Sequence, residues 1–120
     1  MFIKDLQKCD EIIAGDNTTL RELINPLKEN LKLGYSLAHA RVKPDKITHA
    51  HRLRSSEVYY ILQGRGEMYV DGDKAEVAAG QAIYIPPNSV QRIKNIGVTE
   101  LIFLCIVDPA WKPEDEELLK

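Results

Sequence analysis

The sequence predicts an all-β, antiparallel, single-domain fold. Three observations lead there. Between the two ends of the chain, apolar and polar residues alternate with period two. Turn-forming residues interrupt these runs at the short spacing expected of a sandwich or barrel. No helical stretch is long enough to serve as a crossover between parallel strands. With 120 residues, 44% of them hydrophobic, the chain can bury one core and is too short for two ordinary domains. Residues 1–120 are therefore read as one domain.

Taken in order, residues 17–30, "NTTLRELINPLKEN", offer Asn17 as a helix N-cap, but Pro26 interrupts any helix. One turn or a short irregular strand is expected. "GYSLAHARVK" reads as a strand stopped by Pro44 and Asp45, and "EVYYILQG" as one stopped by Gly64. "GEMYVDGDKAEV" carries Asp71-Gly72 between strand-like flanks, a strong hairpin signal. "QAIYI" runs into Pro86-Pro87-Asn88, "VQRIKN" ends at Asn95-Ile96-Gly97, and "ELIFLCIV" ends at Asp108-Pro109. In the last segment, Pro113 suits a first helical position, with Glu114, Asp115 and Glu116 favourable beside a helix N-terminus. A short C-terminal helix or a docked tail is expected, with Trp111 as its anchor on the barrel or on a partner subunit.

Sixteen basic and eighteen acidic side chains give a formal charge of −2, so there is no overall positive field to hold nucleic acid or an anionic membrane. Cys9 and Cys105 lie far apart and form no CxxC pair, so they read as reduced thiols. The opening residues carry charge at once, and no apolar run approaches the ~18 residues of a membrane span. A cytoplasmic protein with no nucleic-acid or membrane partner is expected.

The chemistry concentrates in residues 48–64, "THAHRLRSSEVYYILQG". On a strand, His49 and His51 would share a face, and Glu57 has the same parity. Two imidazoles and a carboxylate in a barrel interior suit a divalent transition metal.

These residues resemble the cupin superfamily, whose first motif has the form G-x5-H-x-H-x3or4-E-x6-G and whose second has the form G-x5-P-x-G-x2-H-x3-N. The resemblance implies a double-stranded β-helix, or jelly-roll barrel, with a conserved core of about residues 41–107. Residues 1–40 then form N-terminal strands or an arm, and 108–120 a tail. In the second motif "GQAIYIPPNSVQRIKN" supplies Gly80, Pro86, Asn88 in place of a glycine, Gln91 in place of the metal-binding histidine, and Asn95. The first motif fits in two registers. With Glu57 and Gly64 fixed, Asp45 replaces the first glycine, His51 is the first histidine and Leu53 replaces the second. With His49 and His51 as the pair, the loop to Glu57 is too long. The first register matches every gap and is favoured. His49 is then the candidate to replace the ligand lost at Leu53. A two-residue shift along a strand is about 6.6 Å against a metal–nitrogen bond of about 2.0–2.1 Å, so this requires a bent strand or a displaced ion.

The resemblance thus implies a metal set of His49, His51, Glu57 and Gln91 around zinc, manganese, iron, nickel or copper, with Gln91 a weak amide donor. Tyr59 shares the parity of Glu57 and is a candidate proton donor. If Val42 faces the core, His39 and Arg41 face outward; Arg52, Arg54 and Arg65 read as a solvated basic edge. The phrases "YSLAHARV", "VYYILQGRGEMYVDG" and "LIFLCIVDPAWKPEDEE" are similar to small prokaryotic single-domain cupins named for the fold alone, which lends the chain no activity. Three readings stay open: a metal-dependent enzyme acting on a small organic molecule, a non-catalytic ligand-binding or sensor barrel, and a metal-free isomerase or epimerase using His51 as base and Tyr59 as acid. A homodimer is expected because the sheet edges are open.

Overall fold

The computed structural model describes residues 1–119. Its strands are β1 (Ile12–Ile13), β2 (Thr19–Ile24), β3 (Ser36–Val42), β4 (His51–Leu53), β5 (Ser56–Gln63), β6 (Arg65–Val70), β7 (Asp73–Ala78), β8 (Ala82–Ile85), β9 (Gln91–Asn95), β10 (Leu101–Asp108) and β11 (Glu116–Leu118). Short 3₁₀ turns occupy Leu6–Lys8 and Pro113–Asp115. All the strand pairs are antiparallel, in a six-stranded sheet ordered β1-β2-β3-β10-β5-β8 and a five-stranded sheet ordered β11-β4-β9-β6-β7.

The period-two runs become strands where they were expected. Alternation sends Ala40, Val42, Tyr59, Ile61, Phe103 and Cys105 inward from the six-stranded sheet, against Met68 and Ile93 of the other. Outward parity at β3 leaves His39 and Arg41 partly exposed, with Arg41 paired to Glu100 and Glu11. The Asp71-Gly72 hairpin joins β6 to β7 with Val70 opposite Asp73, and Asp71 takes a φ of 53°.

At each end the structure takes the second of the two alternatives expected, a short irregular strand near the start and a docked tail at the finish. Asn17 caps no helix; it turns the chain at a φ of 73°, and the segment after it is the six-residue strand β2, whose register shifts between Glu22 and Ile24 just before Pro26. At the other end the acidic turn is too short for a helix, and the chain continues as β11, pairing Glu116 with Leu53 and Leu118 with His51. Trp111 docks on its own barrel: its backbone N–H donates to Ser36 Oγ at 2.9 Å and its carbonyl accepts from Asn25 Nδ2 at 3.0 Å.

The turns explain the motif spacing. Asp45 and Asn88, which stand where the family pattern has glycine, have φ of 65° and 63°. Aspartate and asparagine tolerate this left-handed backbone better than most residues. Gly64 has a φ of 91°, and a Cβ on it would lie 2.9 Å from the Glu100 carbonyl oxygen. Asn95 is buried because it closes the next turn, donating to the carbonyls of Val42 and Thr99 and accepting from Gly97 N–H.

Candidate functional site

Between the sheets lies a cavity of about 590 Å³. From the six-stranded sheet, alternation on β5 points Glu57 and Tyr59 into the interior, and β10 adds Cys105 and Phe103. The rings of Tyr59 and Phe103 pack with centroids 4.4 Å apart. From the five-stranded sheet, β4 turns His51 and Leu53 inward, with His51 directly opposite Gln91 of β9.

The structure joins three of the sequence-predicted residues in one buried chain. The Tyr59 hydroxyl donates to Gln91 Oε1 at 2.8 Å, and Gln91 Nε2 donates to Glu57 Oε1 at 2.9 Å. Gln91 is 1% exposed and sits behind the cavity wall as a link between the other two. Burial pushes the Glu57 carboxyl up to about 8, against the smaller opposing pull of the Gln91 hydrogen bond, so at neutral pH it is mostly the uncharged acid. Its proton then rides on Oε2, because Oε1 accepts from Gln91. Burial also raises Tyr59 and Cys105, with the Glu57 charge adding to both, so phenol and thiol stay protonated.

His51 is 3% exposed and is oriented from its backbone side. Nδ1 lies 3.1 Å from the His49 carbonyl oxygen, which can only accept, so Nδ1 carries a proton and Nε2 is the nitrogen left for the cavity. Asp16 Oδ2 stands 3.8 Å from Nδ1, and Asp16 is itself fixed by Thr18 N–H on Oδ1.

His49 does not join this group. Its side chain is exposed, and β4 begins only at His51, so the two-residue parity does not extend back to position 49. The chain there is strapped by main-chain bonds: His49 N–H donates to the Asp16 carbonyl at 2.8 Å while its own carbonyl receives His51. His49 acts on the site through its backbone.

Asp16 and Glu116 line the cavity without having been flagged by the sequence. Glu116 arrives on β11, and its Oε1 comes so close to Gly15 that a Cβ there would lie 3.0 Å away. Burial raises the Glu116 carboxyl, the His51 charge draws it back, and Asp16 pushes it further up. Neither residue belongs to a local motif; they come from opposite ends of the chain.

This donor set does not fit the metal centre that the resemblance implies. Among the described residues no three His, Cys, Asp or Glu side chains come together closely enough to share an ion. Leu53 and Gln91 stand where imidazoles would be needed, His49 faces away, and the amide of Gln91 is committed to Tyr59 and Glu57.

Known proteins resemble this chain in sequence and, in one solved structure, in fold. An uncharacterized protein of Methanocaldococcus jannaschii is 38% identical over 97% of this chain and 93% of its own length. A glucose-6-phosphate isomerase of Thermococcus kodakarensis is 27% identical over 77% of this chain, which spans 47% of that enzyme. A Cupin 2 conserved barrel domain protein from Salinispora arenicola superposes with a TM-score of 0.77 at 19% identity, covering 95% of this chain and 91% of that one. Residues 38–107, the stretch from β3 through β10, match the cupin domain family, and the chain belongs to it.

Proposed function

We propose that the protein binds a small carbonyl-bearing organic molecule in the inter-sheet cavity and moves a proton on it without a resident metal. His51 Nε2 is the base and the uncharged Glu57 carboxyl is the acid. One observation carries the reading: the position that would hold a third metal-binding histidine is Gln91, locked by hydrogen bonds to Tyr59 and Glu57. Gln91 and Glu57, two of the residues that would surround an ion, are instead bonded to each other.

The two ends of the pair are chemically distinct. Glu57 donates from Oε2 while its other oxygen is held by Gln91, and Tyr59 backs that amide from behind. His51, with Nδ1 turned to the His49 carbonyl, accepts at Nε2. An acid and a base on opposite sheets facing one cavity are the minimum for shifting a proton next to a carbonyl. In this assignment Tyr59 supports the acid. The isomerase among the relatives makes aldoses and ketoses a sensible first class to test.

The experiment is proton–deuterium exchange at the carbon beside the carbonyl, followed by NMR in D₂O, using tag-free protein stripped with a chelator and a panel of aldoses, ketoses, their phosphates and simple diketones. Exchange that survives chelation and disappears in His51→Ala and in Glu57→Gln supports the reading. Exchange that appears only on adding a metal and tracks its content would overturn it. Saturable binding without exchange leaves a ligand-binding barrel.

A further inference from the structure

Asp16 is buried where the local chain gives no reason to bury an acid. It sits in the turn between β1 and β2, closed by Ala14 N–H on the Thr18 carbonyl at 2.8 Å and Asn17 N–H on the Ala14 carbonyl at 2.9 Å. Its Oδ1 accepts from Thr18 N–H at 3.1 Å, a bond that shapes the turn and that an exposed aspartate makes equally well. Yet Asp16 is 7% exposed and lines the cavity, and among the described residues no N–H or O–H donates to Oδ2. A buried carboxylate oxygen in this state is costly unless a positive charge stands near it. Among the described residues, the basic group within ion-pair reach is His51, whose Nδ1 lies 3.8 Å from Oδ2.

We infer that Asp16 is the positioning residue of His51, holding its ring through the main chain and facing it with the countercharge that the ring needs once Nε2 has taken a proton. This role rests on the proposed function, in which His51 is the base.

Asp16 reaches the imidazole by two routes. Its carbonyl accepts from His49 N–H at 2.8 Å, and the His49 carbonyl in turn lies 3.1 Å from His51 Nδ1. That main-chain strap fixes the ring and its tautomer, and it needs no particular side chain at position 16. The second route is electrostatic. Nε2 takes the proton from the carbon beside the carbonyl, and the C–H electron pair passes into the carbon–carbon bond of an enol. In the same step Glu57 Oε2 gives its proton to the carbonyl oxygen. The site then holds an imidazolium and a Glu57 carboxylate, and the reverse transfers restore both. The imidazolium keeps its Nδ1 proton, and Asp16 Oδ2 stands on that side of the ring with the opposite charge. Because the attraction exists only while the ring is charged, it favours the transition state over bound substrate. Glu116, the third carboxyl of the cavity, enters from β11 against Gly15 and takes no part in the His49 strap.

The test is the rate of proton–deuterium exchange by the tag-free full chain in D₂O, with dihydroxyacetone as the first probe and the rest of the carbonyl panel after it. Asp16→Asn keeps an acceptor for Thr18 and the main-chain strap while removing the charge. It should lower kcat for exchange about tenfold or more, with KM within about twofold of native and an unchanged circular dichroism spectrum. Asp16→Ala should lose kcat as well and regain part of it on addition of formate, which returns a carboxylate to the vacated space. Formate should do nothing for Glu57→Gln. Native kcat in Asp16→Asn overturns the inference, and so does a loss in Asp16→Ala that formate does not relieve; either result leaves Asp16 as a shaper of its turn. Exchange absent from the native chain with every member of the panel overturns the proton-transfer reading and this role with it, whereas exchange that needs His51 and not Asp16 overturns this role alone.

Discussion

Gln91 holds Glu57 by a 2.9 Å hydrogen bond from Nε2 to Oε1, across the gap between the two sheets. Because the same amide accepts from Tyr59, it joins the sheets through a single side chain with both ends occupied. Replacing it by leucine removes a partner from each neighbour and leaves buried polar atoms unpaired. Gln91→Leu should lower stability by about 1–3 kcal/mol, seen as a lower denaturation midpoint with an unchanged denaturant slope. An unchanged midpoint would show that the chain of bonds adds nothing to the fold.

Glu57 sets a pH dependence whose sign follows from burial. Its folded-state value near 8 lies above the 4.5 of an unperturbed carboxyl. The fold therefore favours the proton, and the contribution of this group to stability is complete below about pH 4.5 and is lost as the pH rises through about 8. Thermal melts across that interval should show native stability declining relative to Glu57→Gln, which has no proton to lose. Parallel curves would mean that Glu57 titrates as an exposed acid does.

Metal content follows from the donor set. After exposure to manganese, iron, nickel, copper or zinc and exhaustive desalting, the native chain should retain almost no ion. Leu53→His with Gln91→His places imidazoles at the two motif positions that lack them, beside His51 and Glu57. That variant should retain about one ion per chain. Stoichiometric metal in the native protein would overturn the account of Gln91.

Acid and supporting residue separate kinetically. Tyr59→Phe removes one hydrogen bond at the far end of the chain and should leave most of the proton exchange, whereas Glu57→Gln should abolish it. Equal losses in both variants would make Tyr59 the acid.

Phe103 is 1% exposed and packs on the Tyr59 ring. Phe103→Ala should cost about 3–5 kcal/mol. A much smaller loss in urea unfolding would show that the cavity wall collapses to fill the space.

The strands from β3 to β10 were legible because alternation and turn residues are local properties. The favoured motif register was legible for the same reason, and the backbone gives it a cause: Asp45 and Asn88 occupy left-handed turns where the pattern has glycine. Parity failed at His49 because it presumes a continuous strand, while the backbone there bonds to Asp16 and His51 instead of to a neighbouring strand. β11 was hidden because "EEL" carries no strand signal of its own and is fixed by pairing with β4. Asp16 and Glu116 left no trace in the sequence, since only the fold brings the two ends of the chain together.

That meeting of the ends makes the cavity a clasp. Because Asp16 and Glu116 both line it, a molecule seated between them would tie the early strands to the late one. Occupancy is then written most strongly in the slowed amide exchange of β1, β2 and β11, far along the chain from the motif that gave the site away.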